Sequence, residues 1–245
     1  MKIVALIPAR WASTRFPGKA LTPILGRPMI EHVYRRALTI PGVAEVHIAT
    51  DSPEIRQAAL KFDGRVVMTG SHHPSGSDRL AEAADRLGLA DGDIVLNIQG
   101  DQPAFDPEHP ALLARSLMDD PGLEMATLAI PLTEARDIRN PGHVKVAFGA
   151  DHYALYFSRA PIPWPRDGEE EYHRHIGIYA YRVGFLRRFV ALPEGRLERL
   201  ERLEQLRALE NRARVKVVIV SGRSPEVDVP GDVQAAEDAL RLENH

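Results

Sequence analysis

Apolar runs and amphipathic stretches alternate along the first hundred residues. Residues 3–8 (Ile-Val-Ala-Leu-Ile-Pro) form a short continuous apolar run, which predicts a buried strand. Residues 28–39 follow as a predicted helix, with Pro28 at its first position and Met29, Ile30, Val33 and Ala37 on one face. The pattern then predicts a strand at 45–50, a helix at 53–62, a short strand at 65–68, a polar loop at 69–77 and a helix at 78–87. A long strand at 93–99 ends on Gly100-Asp101. Such alternation predicts an α/β domain with a mostly parallel sheet and right-handed crossovers. Ligands of these sheets sit beyond the carboxyl ends of the strands. The loops after Pro8, Thr50 and Gln99 are therefore expected to meet at one site.

The second half is less regular. Strands are predicted at 124–130, 143–148, 153–157 and 175–181, with a proline-rich turn at 161–165 and an acidic loop at 167–171. Helices at 183–191 and 197–211, a strand at 215–220 and a closing helix at 231–242 complete the chain. No repeat, linker or low-complexity stretch divides it. The reading is one domain over 1–245 with a smaller lobe near 150–212. The predicted helix at 197–211 carries Leu197, Leu200, Leu203, Leu206 and Leu209. A step of three residues turns a helix by about 300°, so the leucines drift by about 60° each. That sweep exceeds the roughly 100° stripe that one core requires. Either the helix is sunk in its own core, or it has two apolar neighbours, one in a second subunit. A leucine zipper is disfavoured, because the period is three rather than three and a half.

Composition narrows the function. A chain of 245 residues, 44% hydrophobic and 27% charged, can bury a sizeable core. A net charge of −3 argues against a general nucleic-acid binder. No run of about 18 apolar residues is present, so no membrane insertion is expected. The apolar start meets Pro8 and Arg10 too soon for a secretory signal. The absence of cysteine excludes disulfides, thiolate metal sites and cysteine nucleophiles, and a cytoplasmic location is the default expectation.

The strongest chemical feature is the stretch 7–19, Ile-Pro-Ala-Arg-Trp-Ala-Ser-Thr-Arg-Phe-Pro-Gly-Lys. Residues 1–30 hold Lys2, Arg10, Arg15, Lys19 and Arg27 and no acidic residue. Arginine offers bidentate contacts and lysine a mobile point charge, so a basic loop after a strand suits a polyphosphate. A solvated basic loop is the plain alternative. Neither the P-loop spacing nor a Gly-x-Gly-x-x-Gly signature is present. Asp101 follows a buried strand and a glycine, where a carboxylate can hold a hard cation such as magnesium, or simply close a turn. Asp228 lies between Val227 and Val229, an apolar setting in which a charge needs a partner. A metal shared with Asp101 would provide one. The alternative is a helix-start carboxylate, a role for which Asp232 competes. In Ser75-Gly76-Ser77-Asp78-Arg79, Ser77 or Asp78 could cap the next helix. Arg79 has the wrong sign for a first turn, which hints at an anionic ligand. His72 and His73 read as loop residues, because no third ligand lies at a zinc-like spacing.

Taken together, these segments resemble the 3-deoxy-manno-octulosonate (Kdo) cytidylyltransferases, from residue 3 to about 239. The matching pieces are 7–19, Ala-Thr-Asp at 49–51, Ser-Gly-Ser-Asp-Arg at 75–79, Gln-Gly-Asp-Gln-Pro at 99–103 and Ala-Leu-Tyr-Phe-Ser-Arg-Ala at 154–160. Ile-Pro-Trp at 162–164, His-Ile-Gly-Ile-Tyr at 175–179, Leu-Glu-Gln-Leu-Arg at 203–207 and Val-Asp at 227–228 complete the set. The resemblance implies a nucleotide-diphospho-sugar transferase (Rossmann-like) fold, a homodimer formed through the smaller lobe, and transfer of CMP from CTP to Kdo within lipopolysaccharide biosynthesis. It implies that Arg10, Ser13, Arg15 and Lys19 hold the CTP phosphates, and that Ser75 and Arg79 face the nucleotide. Asp101 and Asp228 would bind Mg2+; with Lys19 and Arg10 they form the implied catalytic set. Gln99, Arg159, His175, Tyr179, Glu204 and Gln205 would face the sugar acid, with Arg159 as partner of its carboxylate. The family pattern usually has Glu at 102, Thr-Glu at 77–78 and Val-Asp-Thr-Pro-Glu-Asp at 227–232. Gln102, Ala180 and the stretch 206–211 look like the branch that includes enzymes for 8-amino-3,8-dideoxy-manno-octulosonate. Two rivals stay open: a transferase for another sugar or small cofactor, and a catalytically silent nucleotide-binding protein.

Overall fold

The computed structural model describes residues 1–11, 16–168, 171–222 and 225–242. Strand β1 (Ile3–Ala9) runs through the centre. Its apolar run is buried because both faces of the sheet are covered, as continuous apolar strands require. A tight hairpin of β2 (Pro23–Ile24) and β3 (Arg27–Pro28) turns at Leu25 and Gly26, both at positive φ (47° and 78°). Helix α1 (Met29–Ala37) follows, with Pro28 as its N-cap rather than its first residue. Next come β4 (Glu45–Thr50), α2 (Pro53–Leu60), β5 (Val66–Met68), α3 (Gly76–Arg86) and β6 (Ile94–Asn97). Helix α4 (Glu108–Asp119) leads to β7 (Met125–Leu132), and the short α5 (Ala135–Arg139) to β8 (Lys145–Phe148) and β9 (Ala154–Ser158). The chain ends with β10 (Tyr172–Arg182), α6 (Val183–Ala191), α7 (Arg196–Glu201), α8 (Gln205–Glu210), β11 (Val215–Ile219) and α9 (Val233–Leu242).

The sheet has the order β11-β7-β10-β6-β1-β4-β5, and β8 adds to β10 and carries β9. The pairs β1–β4, β1–β6, β4–β5 and β7–β11 are parallel. Only β10 runs antiparallel to its neighbours β6 and β7 in that row. The expected mostly parallel α/β sheet is present. One apolar cluster covers each face: Ile30, Val33 and Leu113 against one side of β1 and β6, and Leu80, Ala84 and Phe189 against the other. Among the described residues, no helix is long and apolar enough to cross a membrane.

Three expectations are corrected. Helix α4 and the short α5 were absent from the sequence pattern. The strand expected at 93–99 stops at Asn97, so Gln99 belongs to a loop. The helix expected at 197–211 is two short helices, separated at Arg202 in the left-handed region (φ 54°). Its five leucines therefore share no single helix. Leu203 and Leu206 are buried while Leu200 is 67% exposed.

Candidate active site

The parallel strands β1 and β6 end side by side, and their loops touch. A Cβ built on Gly100 would lie 3.1 Å from the Pro8 carbonyl oxygen, so the chain after β6 passes β1 at a separation tighter than most side chains meet. The basic loop closes on itself where the Gly18 N–H donates to the Trp11 carbonyl (3.2 Å), with Gly18 left-handed at φ 70°. Lys19 follows directly. Its Nζ donates to Asp101 Oδ2 at 2.7 Å and to Asp228 Oδ1 at 3.2 Å. Asp228 is held there because the Val227 N–H donates to the Asp101 carbonyl (2.9 Å), with the Val227 side chain sunk beside Ile24, Met29 and Ala236. Burial alone would lower the Lys19 pKa; the two carboxylates outweigh it, and the net shift is upward. The ammonium therefore stays charged.

Asp228 is less apolar in its surroundings than its valine neighbours suggest: its side chain is 40% exposed. Asp232 takes the helix-start role, accepting the Asp228 and Val229 N–H groups at 2.8 and 2.9 Å. That leaves the Asp228 carboxylate to face Lys19.

Beside this triangle lies the loop before α3. Arg10 Nη1 donates to the Pro74 carbonyl (3.2 Å). Ser75, rather than Ser77 or Asp78, caps α3. Arg79 is buried, and its anion belongs to this chain: Nη2 lies 3.2 Å from Asp51, and Nη1 donates to Thr69 Oγ1 and Gly70 O. Its unusual sign in a first turn thus reflects an internal pair. Glu82 anchors the same loop, accepting from the Gly70 N–H (2.8 Å), His73 and Arg86. Burial acts to raise its pKa, but these three donors prevail and hold it at about 2. His73 is a loop residue with a carboxylate partner, and the described residues contain no group of three acids or histidines able to hold a metal. Ser13 and Arg15 lie outside the described residues.

The other wall is β10. Its register against β7 jumps from Ile176↔Leu128 to Tyr179↔Thr127, so Gly177 and Ile178 form a bulge. Four residues of regular strand span about 13 Å; here the His175 and Tyr179 rings are 5.4 Å apart. Bulges re-aim side chains in this way. Thr127 Oγ1, at 3.0 to 3.2 Å from the Ile176 and Ile178 carbonyls and the His175 ring, satisfies the kinked backbone. Gln99 Nε2 donates to the Gly177 carbonyl at 3.0 Å. Burial, helped by Arg174, takes His175 down to about 3, so the ring is neutral at neutral pH. Burial also raises the Tyr179 pKa. Glu204 accepts from Ser75 (2.6 Å) and Ser77 (2.8 Å); burial raises its pKa. Gln205 is buried next to it. The predicted nucleotide residue Ser75 and the predicted sugar residue Glu204 are thus in direct contact. Arg159 donates from its guanidinium to the backbone carbonyls of Pro141 and of Glu201 and Arg202, just before Glu204.

This arrangement joins a cation held between two carboxylates to a bulged strand lined with neutral polar groups. A cytidylyltransferase family pattern matches residues 4–216. The chain belongs to that family. It is 49% identical, over 99% of its length and 100% of the relative's, to the 8-amino-3,8-dideoxy-manno-octulosonate cytidylyltransferase of Shewanella amazonensis. It is 50% identical, over 98% of its length and 97% of the relative's, to the 3-deoxy-manno-octulosonate cytidylyltransferase of Syntrophus aciditrophicus. A solved structure of CMP:2-keto-3-deoxy-manno-octonic acid synthetase complexed with CTP superposes with a TM-score of 0.94 at 42% identity, covering 99% of this chain and 100% of the other. A 4-diphosphocytidyl-2C-methyl-D-erythritol synthase (TM-score 0.66, 16% identity, coverage 98% of each chain) shares the fold.

Sequence reasoning missed three residues of this cytidylyltransferase. Asp51, quoted within Ala-Thr-Asp, neutralises Arg79. Glu226 accepts from Gln102 Nε2 (3.0 Å) and pairs with Arg174 (3.4 Å). Lys145 is completely buried, and its one sequence signal was a lysine between two valines in an apolar strand.

Proposed function

We propose that this chain is a Mg2+-dependent cytidylyltransferase that moves CMP from CTP to the anomeric hydroxyl of Kdo and releases pyrophosphate. The carrying observation is the triangle of Lys19, Asp101 and Asp228 at the ends of β1 and β6. The CTP-bound synthetase of near-identical fold supports the choice of nucleotide. The two carboxylates converge on one cation, Lys19 Nζ, which supports the pair as a place for a cation. Magnesium takes one or two carboxylates and completes its shell with phosphate oxygens and water, so a two-acid set suffices. Asp101 and Asp228 would hold it; when bound, it would neutralise α-phosphate charge and ease deprotonation of the hydroxyl.

The attacking hydroxyl oxygen forms a bond to the α-phosphorus and gives up its proton to solvent, and the bond to the bridging oxygen breaks with its electrons leaving on pyrophosphate. Lys19 and Arg10 stabilise that charge. On the sugar side, the neutral His175 and the Gln99–Gly177 contact offer hydrogen bonds to hydroxyls without adding charge. The relative from Shewanella amazonensis favours a second reading, the same reaction on the 8-amino sugar acid. A homodimer through the smaller lobe is supported by three large apolar side chains left exposed there: Leu155 (68%), Trp164 (85%) and Leu200 (67%). A place in lipopolysaccharide biosynthesis and a cytoplasmic location follow from the substrate.

Pyrophosphate release tests the reading, with CTP, ATP or GTP as donor and Kdo or its 8-amino analogue as acceptor. CTP- and magnesium-dependent release with one of the two sugars is expected. No release with either would favour a silent nucleotide-binding protein.

A further inference from the structure

Lys145, on β8, is 0% exposed. Its Nζ donates to the carbonyls of Asn140 (3.0 Å), His143 (2.6 Å) and Arg159 (2.6 Å). Three acceptors require three N–H groups, so the side chain is an ammonium. Carbonyl oxygens satisfy its hydrogen bonds and leave its formal charge in place.

Arg159 repeats the arrangement one strand away. Its Nε donates to the Glu201 carbonyl (2.7 Å), Nη1 to Pro141 O (3.0 Å) and Nη2 to Arg202 O (3.4 Å). The two cations clamp residues 140–143, and Arg159 also clamps the left-handed break at Arg202 that precedes Glu204 and Gln205. The nearby acid is Glu201, whose carboxylate accepts from Ser158 Oγ (2.6 Å) and the Arg159 N–H (2.9 Å). Burial lowers the Lys145 pKa, Glu201 opposes that and Arg159 adds to it, so the three charges act on one another. Two cations and one carboxylate leave one positive charge. Among the described residues, three of the five guanidinium N–H donors are used, on Nε, Nη1 and Nη2, and one N–H on each Nη is then open to a forked contact.

We propose that Lys145 is a positioning residue of the sugar-acid subsite: it fixes the Arg159 backbone and leaves the Lys145–Arg159–Glu201 group with a single excess positive charge, matched to a single carboxylate. This rests on the proposed function and adds to it a residue and a charge balance. Two variants of opposite sign test it, by pyrophosphate release with sugar acid and CTP varied in turn. Lys145→Met removes the charge and the clamp; the KM for sugar acid should rise roughly tenfold, while that for CTP stays within about twofold. Glu201→Gln keeps the side-chain shape and raises the excess charge; the KM for sugar acid should fall. A rise in both variants would mean a common structural disruption and would overturn the proposal, as would equal rises for sugar and CTP in Lys145→Met. If Lys145→Met does not fold, Glu201→Gln decides alone: a KM for sugar acid that is unchanged or raised overturns the proposal. Wild-type protein in the same series separates the two levels, since absence of its pyrophosphate release would remove the proposed function and the subsite with it.

Discussion

On the proposed nucleotide side, the side chains follow strand ends, and they answer one another: Lys19 faces Asp101 and Asp228, which are 27% and 40% exposed. On the proposed sugar side, β10 and the segments beside it present side chains that the protein's own groups already hold: His175 by Thr127, Gln99 by Gly177, Glu204 by two serines. The first region can change its chemistry without disturbing its scaffold. In the second, the proposed binding groups are themselves part of the scaffold, so a substitution there should touch stability and function together.

The sharpest way to break this comparison is to remove the acids. Asp101→Asn and Asp228→Asn should each lower turnover by about two to three orders of magnitude. Neither side chain is buried, so the melting temperature should move by only a few degrees; near-normal turnover in both would defeat the assignment. A middle effect is expected where the nucleotide side does have a tight contact. Gly100→Ala places a Cβ 3.1 Å from the Pro8 carbonyl, a backbone atom that cannot swing aside. A loss of about 1–3 kcal/mol is expected in chemical denaturation. An unchanged midpoint would show slack between the two loops.

Effects spread over several pH units, and so smallest at any one pH step, are expected in acid and distinguish the two sides by pH window. Glu82 has a folded pKa of about 2 against 4.5, so its stabilisation is complete above about pH 4.5 and is lost as pH falls toward 2. His175 has a folded pKa of about 3 against 6.5. Between those values the unfolded chain binds a proton that the native chain does not, so stability already declines as pH falls below about 6.5. Urea midpoints from pH 7 to pH 3 should show Glu82→Gln flattening the lower window and His175→Phe the upper one. The reverse order would contradict the burial of His175.

The nucleotide half was legible in the sequence because its signals are local. A continuous apolar run marked β1, and a lysine after a left-handed glycine marked the end of the basic loop. The pairing of Asp101 with Asp228 was readable only as two separate carboxylates, since 127 residues separate them along the chain. The sugar half was legible chiefly through resemblance. Gly177, alone inside an apolar strand, is the one local hint of a bulge, but the size of the jump in register is set by the pairing with β7. The leucine spacing at 197–209 suggested one helix, and the backbone at Arg202 overruled it, with the Arg159 clamp on the other side of that break. Helix α4 begins after Pro107, whose neighbours Asp106 and Glu108 gave no apolar rhythm at its start.

Lys19 has a consequence for how the site fills. With its ammonium between two carboxylates, the resting protein supplies its own counter-ion. On the proposed function, a triphosphate carrying magnesium does not enter an acidic vacancy; it trades places with a tethered guest. Bare metal must compete with that guest and is disfavoured, whereas the nucleotide brings phosphates to which the displaced lysine can turn. Loading becomes an exchange, and metal and nucleotide arrive together.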